Sequence, residues 1–165
     1  PSATGNLYNP LGVCIYTLAY DSDKKLTLPS LELKQNIKTY IAQFKPLTDG
    51  CTIKDGYVVN IGLKYDIITL PSYNSRDVLI RCNQTLTEHF NINNWSINQP
   101  INISSIYTIL DKVKGVQTEV GGTYSKYDYD IEGATRNNVV YPSLDPMIFE
   151  LKYPATDIQG RITTL

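Results

Sequence analysis

Cys82 and His89 are the pair of side chains best placed by type and spacing to do chemistry. They stand seven residues apart in a helical pattern, close to one helix face. An imidazole beside a thiol draws it toward thiolate, the arrangement of a cysteine nucleophile and its base. Cys82, however, falls on an apolar stripe with Leu79, Leu86 and Phe90. A reactive thiol needs an electropositive, accessible setting, so the stripe points to a core cysteine. His89 then reads as an ordinary residue of a helix C-terminus, favourable there when protonated. The densest acidic cluster, Asp128-Tyr129-Asp130 with Glu132, offers the oxygens that a hard cation takes. Its spacing matches no calcium loop, and a solvated loop is the ordinary outcome. A glycoside-cleaving pair of carboxylates would have to converge in space, which this spacing does not supply.

The remaining motifs thin out quickly. Three cysteines, Cys14, Cys51 and Cys82, lie far apart without a CxxC, and the chain has one histidine. That argues against a Cys/His zinc site and against a disulfide framework, and the compartment of synthesis reads as reducing. The glycines, among them Gly5, Gly12 and the pair Gly121-Gly122, compose neither a dinucleotide fingerprint nor a phosphate loop. There is no nucleophile elbow, and a single histidine excludes HExxH. The N-glycosylation pattern occurs at Asn83, Asn94 and Asn102, which a chain this rich in asparagine reaches by chance. Tyr124, Tyr127, Tyr129, Tyr141 and Tyr153 could stack on bases or sugars, but only Lys126, Arg136 and Lys152 lie among them. Protein contacts are the more economical use of such aromatics. No enzyme, metal or cofactor is expected.

Composition sets the frame for these residues. In 165 residues, 42% are hydrophobic and 19% charged, the balance of a globular chain long enough to bury a core without staples. A net charge of −1 gives no global grip on nucleic acid, so no nucleic-acid partner is expected. No apolar run approaches the roughly 20 residues of a membrane-spanning helix, so no membrane insertion is expected. The opening Pro1-Ser2-Ala3-Thr4-Gly5 carries neither initiator methionine nor signal region, which reads as a fragment, a processed product or a trimmed chain. The excess of Asn, Ile and Tyr fits an AT-rich coding bias as well as it fits function.

The elements that must carry these residues follow from periodicity. Gly12 to Tyr20 is apolar on both faces and suits a buried strand. Ser30 is placed to cap a helix with the stripe Leu33, Ile37, Tyr40, Ile41 and Phe44, which Pro46 ends. The clearest strand alternates Tyr57, Val59, Ile61, Leu63, Tyr65 and Ile67 against Asn60, Gly62, Lys64 and Asp66, one face packed and one wet. Asn74 or Ser75 starts a second helix, a short strand spans Trp95 to Asn98, and Ser104 caps a third helix ending at a left-handed Gly115. Val116 to Val120 reads as a strand broken by Gly121-Gly122. From Asp128 onward, Pro142, Pro146, Pro154 and Gly160 divide an extended segment in which Met147, Phe149, Leu151 and Tyr153 alternate.

Read in order, these landmarks carry a resemblance. The run from Lys54 to Val120 has an alternating strand ending in Pro71-Ser72-Tyr73-Asn74 and an amphipathic helix. Asn98-Gln99-Pro100-Ile101 then approaches a short helix, and Gly115-Val116 exits into a strand. It resembles the C-terminal region of the baseplate wedge proteins of T4-type contractile-tailed phages, of the baseplate J-like family. The tail Ile148 to Pro154, with Asp157-Ile158-Gln159-Gly160-Arg161, also looks like the end of those subunits. The likeness covers roughly Gly50 to Leu165, with Gly12 to Phe44 continuing it upstream. Full wedge subunits are several times longer, so it implies a C-terminal fragment or a reduced version, with a structural role and no cofactor.

The expectation is an α+β fold in two layers, a mostly antiparallel or mixed sheet carrying helices at 30–45, 75–90 and 104–114. Residues 1–127 would form the domain and 128–165 an extended C-terminal arm. Ile148, Phe149, Leu151 and Tyr153 on that arm are the expected interface residues, suited to adding a strand to a sheet edge of the same domain or of a neighbour, with the 147–153 strand expected on its own domain and the last residues reaching outward. The expected partners are the chain itself, as a homo-oligomer such as a dimer, and other baseplate proteins. The expected location is the virion tail baseplate, after assembly in the host cytoplasm. A non-catalytic ligand- or glycan-binding accessory domain displaying Tyr and Trp95 is the alternative.

Overall fold

A computed structural model describes residues 12–44, 50–125 and 129–163, apart from the side chains of 118–121 and 124–125. The fold is α+β, and the chain divides into two compact units, Pro1–Gly56 and Tyr57–Leu165.

In the first unit, β1 (Val13–Thr17) is followed by a small antiparallel pair, β2 (Ala19–Tyr20) and β3 (Leu26–Thr27). Asp21 closes the turn between them by accepting from the backbone N–H of Asp23 and Lys25, both at 2.9 Å. Ser30 caps α1 (Leu31–Ala42) as its type predicts, accepting from Leu33 N at 3.2 Å. The chain then returns as β4 (Cys51–Asp55), parallel to β1 from Val13↔Cys51 to Thr17↔Asp55. Lys34 on α1 grips both carboxylate oxygens of Asp55 on β4, at 2.8 and 2.9 Å. The expectation of a buried first strand fails: Val13 and Cys14 are exposed and Ile15 is half-buried. Two strands offer too little surface to cover it among the described residues. At 51–55 only Cys51 and Ile53 are apolar, too short an alternation to mark a strand in the sequence.

The second unit is built on β5 (Tyr57–Thr69), where the alternation holds from Leu63 to Ile67, while Tyr57 at its start is exposed and Gly62 is buried. Ile61, Leu63, Tyr65 and Ile67 are buried, while Lys64 and Asp66 are exposed. Asn74 caps α2 (Ser75–His89) through Arg76 N at 2.9 Å. A single 3-10 turn, Ile92–Asn94, leads to Trp95, and the segment expected as a strand at 95–98 is irregular. Asn98 lies at φ +61°, which no strand accommodates. Pairing resumes at β6 (Ile101–Asn102), and Asn102, rather than Ser104, caps α3 (Ile103–Asp111) by accepting from Ser104 N at 2.9 Å. Gly115 takes the left-handed conformation expected of it, φ +100°.

β7 (Val116–Ser125) runs antiparallel to β5 and continues through Gly121-Gly122, which the sequence suggested would break it. Its backbone ladder with Tyr65 and Lys64 carries those two glycines without help from side chains. After α4 (Ile131–Ala134), β8 (Thr135–Arg136) and β9 (Val139–Val140) form a hairpin across Asn137 and Asn138. Both turn residues have positive φ, 52° and 61°, as a two-residue turn matched to strand twist requires.

The segment set apart above as an arm, 128–165, supplies the second unit with further strands. β10 (Met147–Glu150) pairs in parallel with residues 57–60 of β5. After α5 (Pro154–Asp157), β11 (Ile158–Ile162) pairs in parallel with residues 63–67. Since β7 pairs with the same stretch of β5 as β11, the two take opposite edges, and the sheet is mixed. Val78, Cys82 and Leu86 of α2 and Ile106 and Leu110 of α3 pack on the Ile61–Ile67 face in one continuous core. Burial of side chains this size contributes about 1.5–3 kcal/mol each, which makes this face the principal source of stability.

Candidate functional site

The four residues expected to contact a partner occupy the end of β10 and the loop behind it. Ile148, Phe149 and Leu151 are buried, and Tyr153 is 46% exposed. The strand addition foreseen for this segment takes place within the chain, against β5. The segment 98–101 braces it: Asn98 N donates to Met147 O at 2.7 Å, and Met147 N donates to Asn98 Oδ1 at 3.0 Å. The left-handed backbone of Asn98 lets its side chain and main chain meet one residue at once, a use open to few residue types. Both faces of β10 are covered, and Glu150 is buried with its neighbours. Of the four, Tyr153 alone presents itself, and its backbone N–H is held by Asp157 Oδ2 at 3.0 Å.

The candidate nucleophile is equally enclosed. Cys82 is fully buried beneath β5, so no substrate reaches its sulfur. Tyr65 and Asn83 flank it, joined by a hydrogen bond from the tyrosine hydroxyl to Asn83 Oδ1. Burial, with a smaller contribution from Cys82, pushes the Tyr65 hydroxyl far above its ordinary range. His89 is engaged with aromatic rings, edge-on to Phe90 at 5.0 Å and to Trp95 at 6.1 Å. Burial lowers its pKa, which opposes the favourable effect of the helix C-terminus on the protonated ring. Trp95 is half-buried, stacks on Phe90 at 5.2 Å and gives its indole N–H to His89 O at 3.1 Å.

In the acidic cluster, Asp128 lies outside the described residues. Asp130 caps α4 through Gly133 N at 2.9 Å, and Tyr129 donates to Tyr141 O at 2.7 Å. Burial, and then the neighbouring Asp130, raise the Tyr129 pKa. Among the described residues no group of three or more His, Cys, Asp or Glu side chains is arranged to hold a metal. Tyr127 also falls outside them, as does the side chain of Tyr124. The asparagines of the three glycosylation patterns are all committed: Asn83 to Tyr65, Asn94 to Glu88 O at 3.2 Å, and Asn102 to the α3 cap.

Two further surfaces remain open, one on a helix whose stripe the sequence shows and one that the sequence does not signal. The first is α1, which contains no buried residue. Leu31 is 80% exposed, Tyr40 63% and Phe44 71%, and the two aromatic rings lie 5.1 Å apart. Its stripe was legible as amphipathic, and nothing in a period says whether the matching surface exists in the same chain. The second is α2, with a groove on either side. One, about 320 Å³, lies between α2 and the end of α3, with Arg81, Gln84 and Glu88 facing Ile109, Lys112 and Lys114. The other, about 400 Å³, has Ile80, Asn83 and Thr87 facing Pro154 and Ala155.

No protein-family model matches the chain, and no curated protein matches it.

Proposed function

We propose that the chain is a structural subunit of a contractile-tail baseplate, a wedge component of the T4 type, which assembles with copies of itself and with neighbouring baseplate proteins and catalyses no reaction. The observation that carries the assembly reading is α1, a helix with no buried residue, which exposes Leu33 and Tyr40 on one face, with Phe44 exposed just past its end. Clustered apolar side chains of this size are costly to leave in water and mark a contact surface. The baseplate part rests on the resemblance. Three of its landmarks occupy structural junctions: Asn74 caps α2, Asn98 braces β10, and Gly115 turns the chain from α3 into β7. The role is mechanical: interfaces hold one arrangement and rearrange as the tail contracts.

Light scattering over a range of concentrations tests the reading. The expected result is a mass above the 18.6 kDa of one chain, returning to that value in the double variant Leu33→Lys/Tyr40→Lys. Both side chains are exposed, so the variant retains the helical signal of the parent. A single-chain mass at every concentration contradicts self-assembly.

A further inference from the structure

The groove between α2 and α3 has a charge pattern that the rest of the fold does not require. Arg81 comes from α2, whereas Lys112 and Lys114 follow α3, and all three line the same 320 Å³ cavity. Among the described residues, no carboxylate forms an ion pair with any of them. Lysines at the end of α3 are favourable to that helix's dipole, a sufficient reason for Lys112 and Lys114 taken alone. It does not account for Arg81, which belongs to another helix and points into the same space. Arg81 is also held in place: its Nε donates to Asp77 O at 3.3 Å, and its guanidinium lies 5.8 Å above the Tyr73 ring. A fixed guanidinium loses less entropy on meeting a carboxylate than a free one.

We propose that this groove docks an acidic segment of a neighbouring protein, a carboxylate side chain flanked by aliphatic ones. Charge complementarity chooses the occupant. Three cations against the single acid Glu88 give a local positive excess in a chain whose net charge is −1. Ile109 and Val113 line the same cavity and suit aliphatic neighbours of the carboxylate. A phosphate site draws on backbone N–H groups at a helix N-terminus, whereas this groove opens at the C-terminal end of α3, where carbonyls emerge. Glu88 orients the segment by repelling a second carboxylate. The choice of a protein as occupant rests on the assembly reading above.

The test is an amide chemical-shift titration of the isotope-labelled full chain at low ionic strength. The probe is an acetylated, amidated pentapeptide with one central aspartate flanked on each side by two leucines. The expected result is a set of shifts at residues 81–88 and 109–114 that weakens as salt screens the charges. In Lys112→Gln/Lys114→Gln the affinity falls roughly tenfold or more, with the remaining spectrum unchanged, because both lysines are exposed. The proposal is overturned by the absence of shifts in that region, by equal binding of the leucine–asparagine peptide, by inorganic phosphate moving the same amides as strongly, or by undiminished binding to the double variant. Absent shifts in a chain that self-associates overturn the groove alone. Binding by a chain that stays monomeric overturns self-assembly alone.

Discussion

The two compact units use similar apolar content to different ends. In Tyr57–Leu165, β5 is paired on both edges, and its packed face meets two helices whose stripes are buried at Val78, Cys82, Leu86, Ile106 and Leu110. In Pro1–Gly56, a parallel pair of strands and a helix with an equally regular stripe bury one large apolar side chain among the described residues, Leu26. Amphipathic pattern is a property of a segment, whereas burial requires a second surface of matching area. On the reading proposed above, another chain supplies the matching surface for α1.

The largest effect that sharpens the contrast is a matched pair of truncations. Leu86→Ala removes a fully buried side chain and is expected to cost about 2–5 kcal/mol in urea unfolding, through lost transfer energy and a cavity. Tyr40→Ser on α1, at 63% exposure, is expected to change stability by no more than about 0.5 kcal/mol under conditions that keep the chain monomeric. Similar losses at the two positions would break the comparison.

A smaller effect lies at the β5–β11 pairing. A Cβ on Gly160 would stand 2.5 Å from Tyr65 Cζ and 2.7 Å from Leu79 Cδ1. Gly160→Ala is therefore expected to cost about 1–3 kcal/mol, the range for overpacking a tight site, measured as a shift in thermal midpoint. Gly122→Ala, with nothing within 4 Å of its Cβ, serves as the permissive partner.

The smallest is a pH effect at the end of α2. The folded chain lowers the pKa of His89 below its ordinary value of 6.5, so the unfolded chain takes up its proton first as pH falls. Stability from this group is full above pH 6.5 and declines as pH drops from there toward the lower folded value. The slope in that window is expected to diminish in His89→Gln, as followed by urea midpoints across the range. An unchanged slope assigns it to other groups.

Much of the local structure in both units is legible in the sequence. The period-two strand, the Ser30 and Asn74 caps and the left-handed Gly115 are each decided within a few residues by local geometry. What was not legible depends on partners distant in sequence. β7 crosses Gly121-Gly122 because β5 supplies its ladder. β10 is covered on both faces despite the charge at Glu150, so three of the four expected contact residues belong to the interior. The asparagine excess fits coding bias and function equally well in the sequence. In the fold, Asn74, Asn91 and Asn102 cap helical turns, and Asn98, Asn137 and Asn138 take left-handed positions. These are the uses for which a short amide side chain is suited.

Hydrogen exchange measured at several protein concentrations tests the central claim most directly. If the face of α1 is covered by a neighbouring chain, protection of the amides of 31–42 rises with concentration, while that of β5 and α2 stays constant. Protection of α1 that is independent of concentration, at any level, would contradict it.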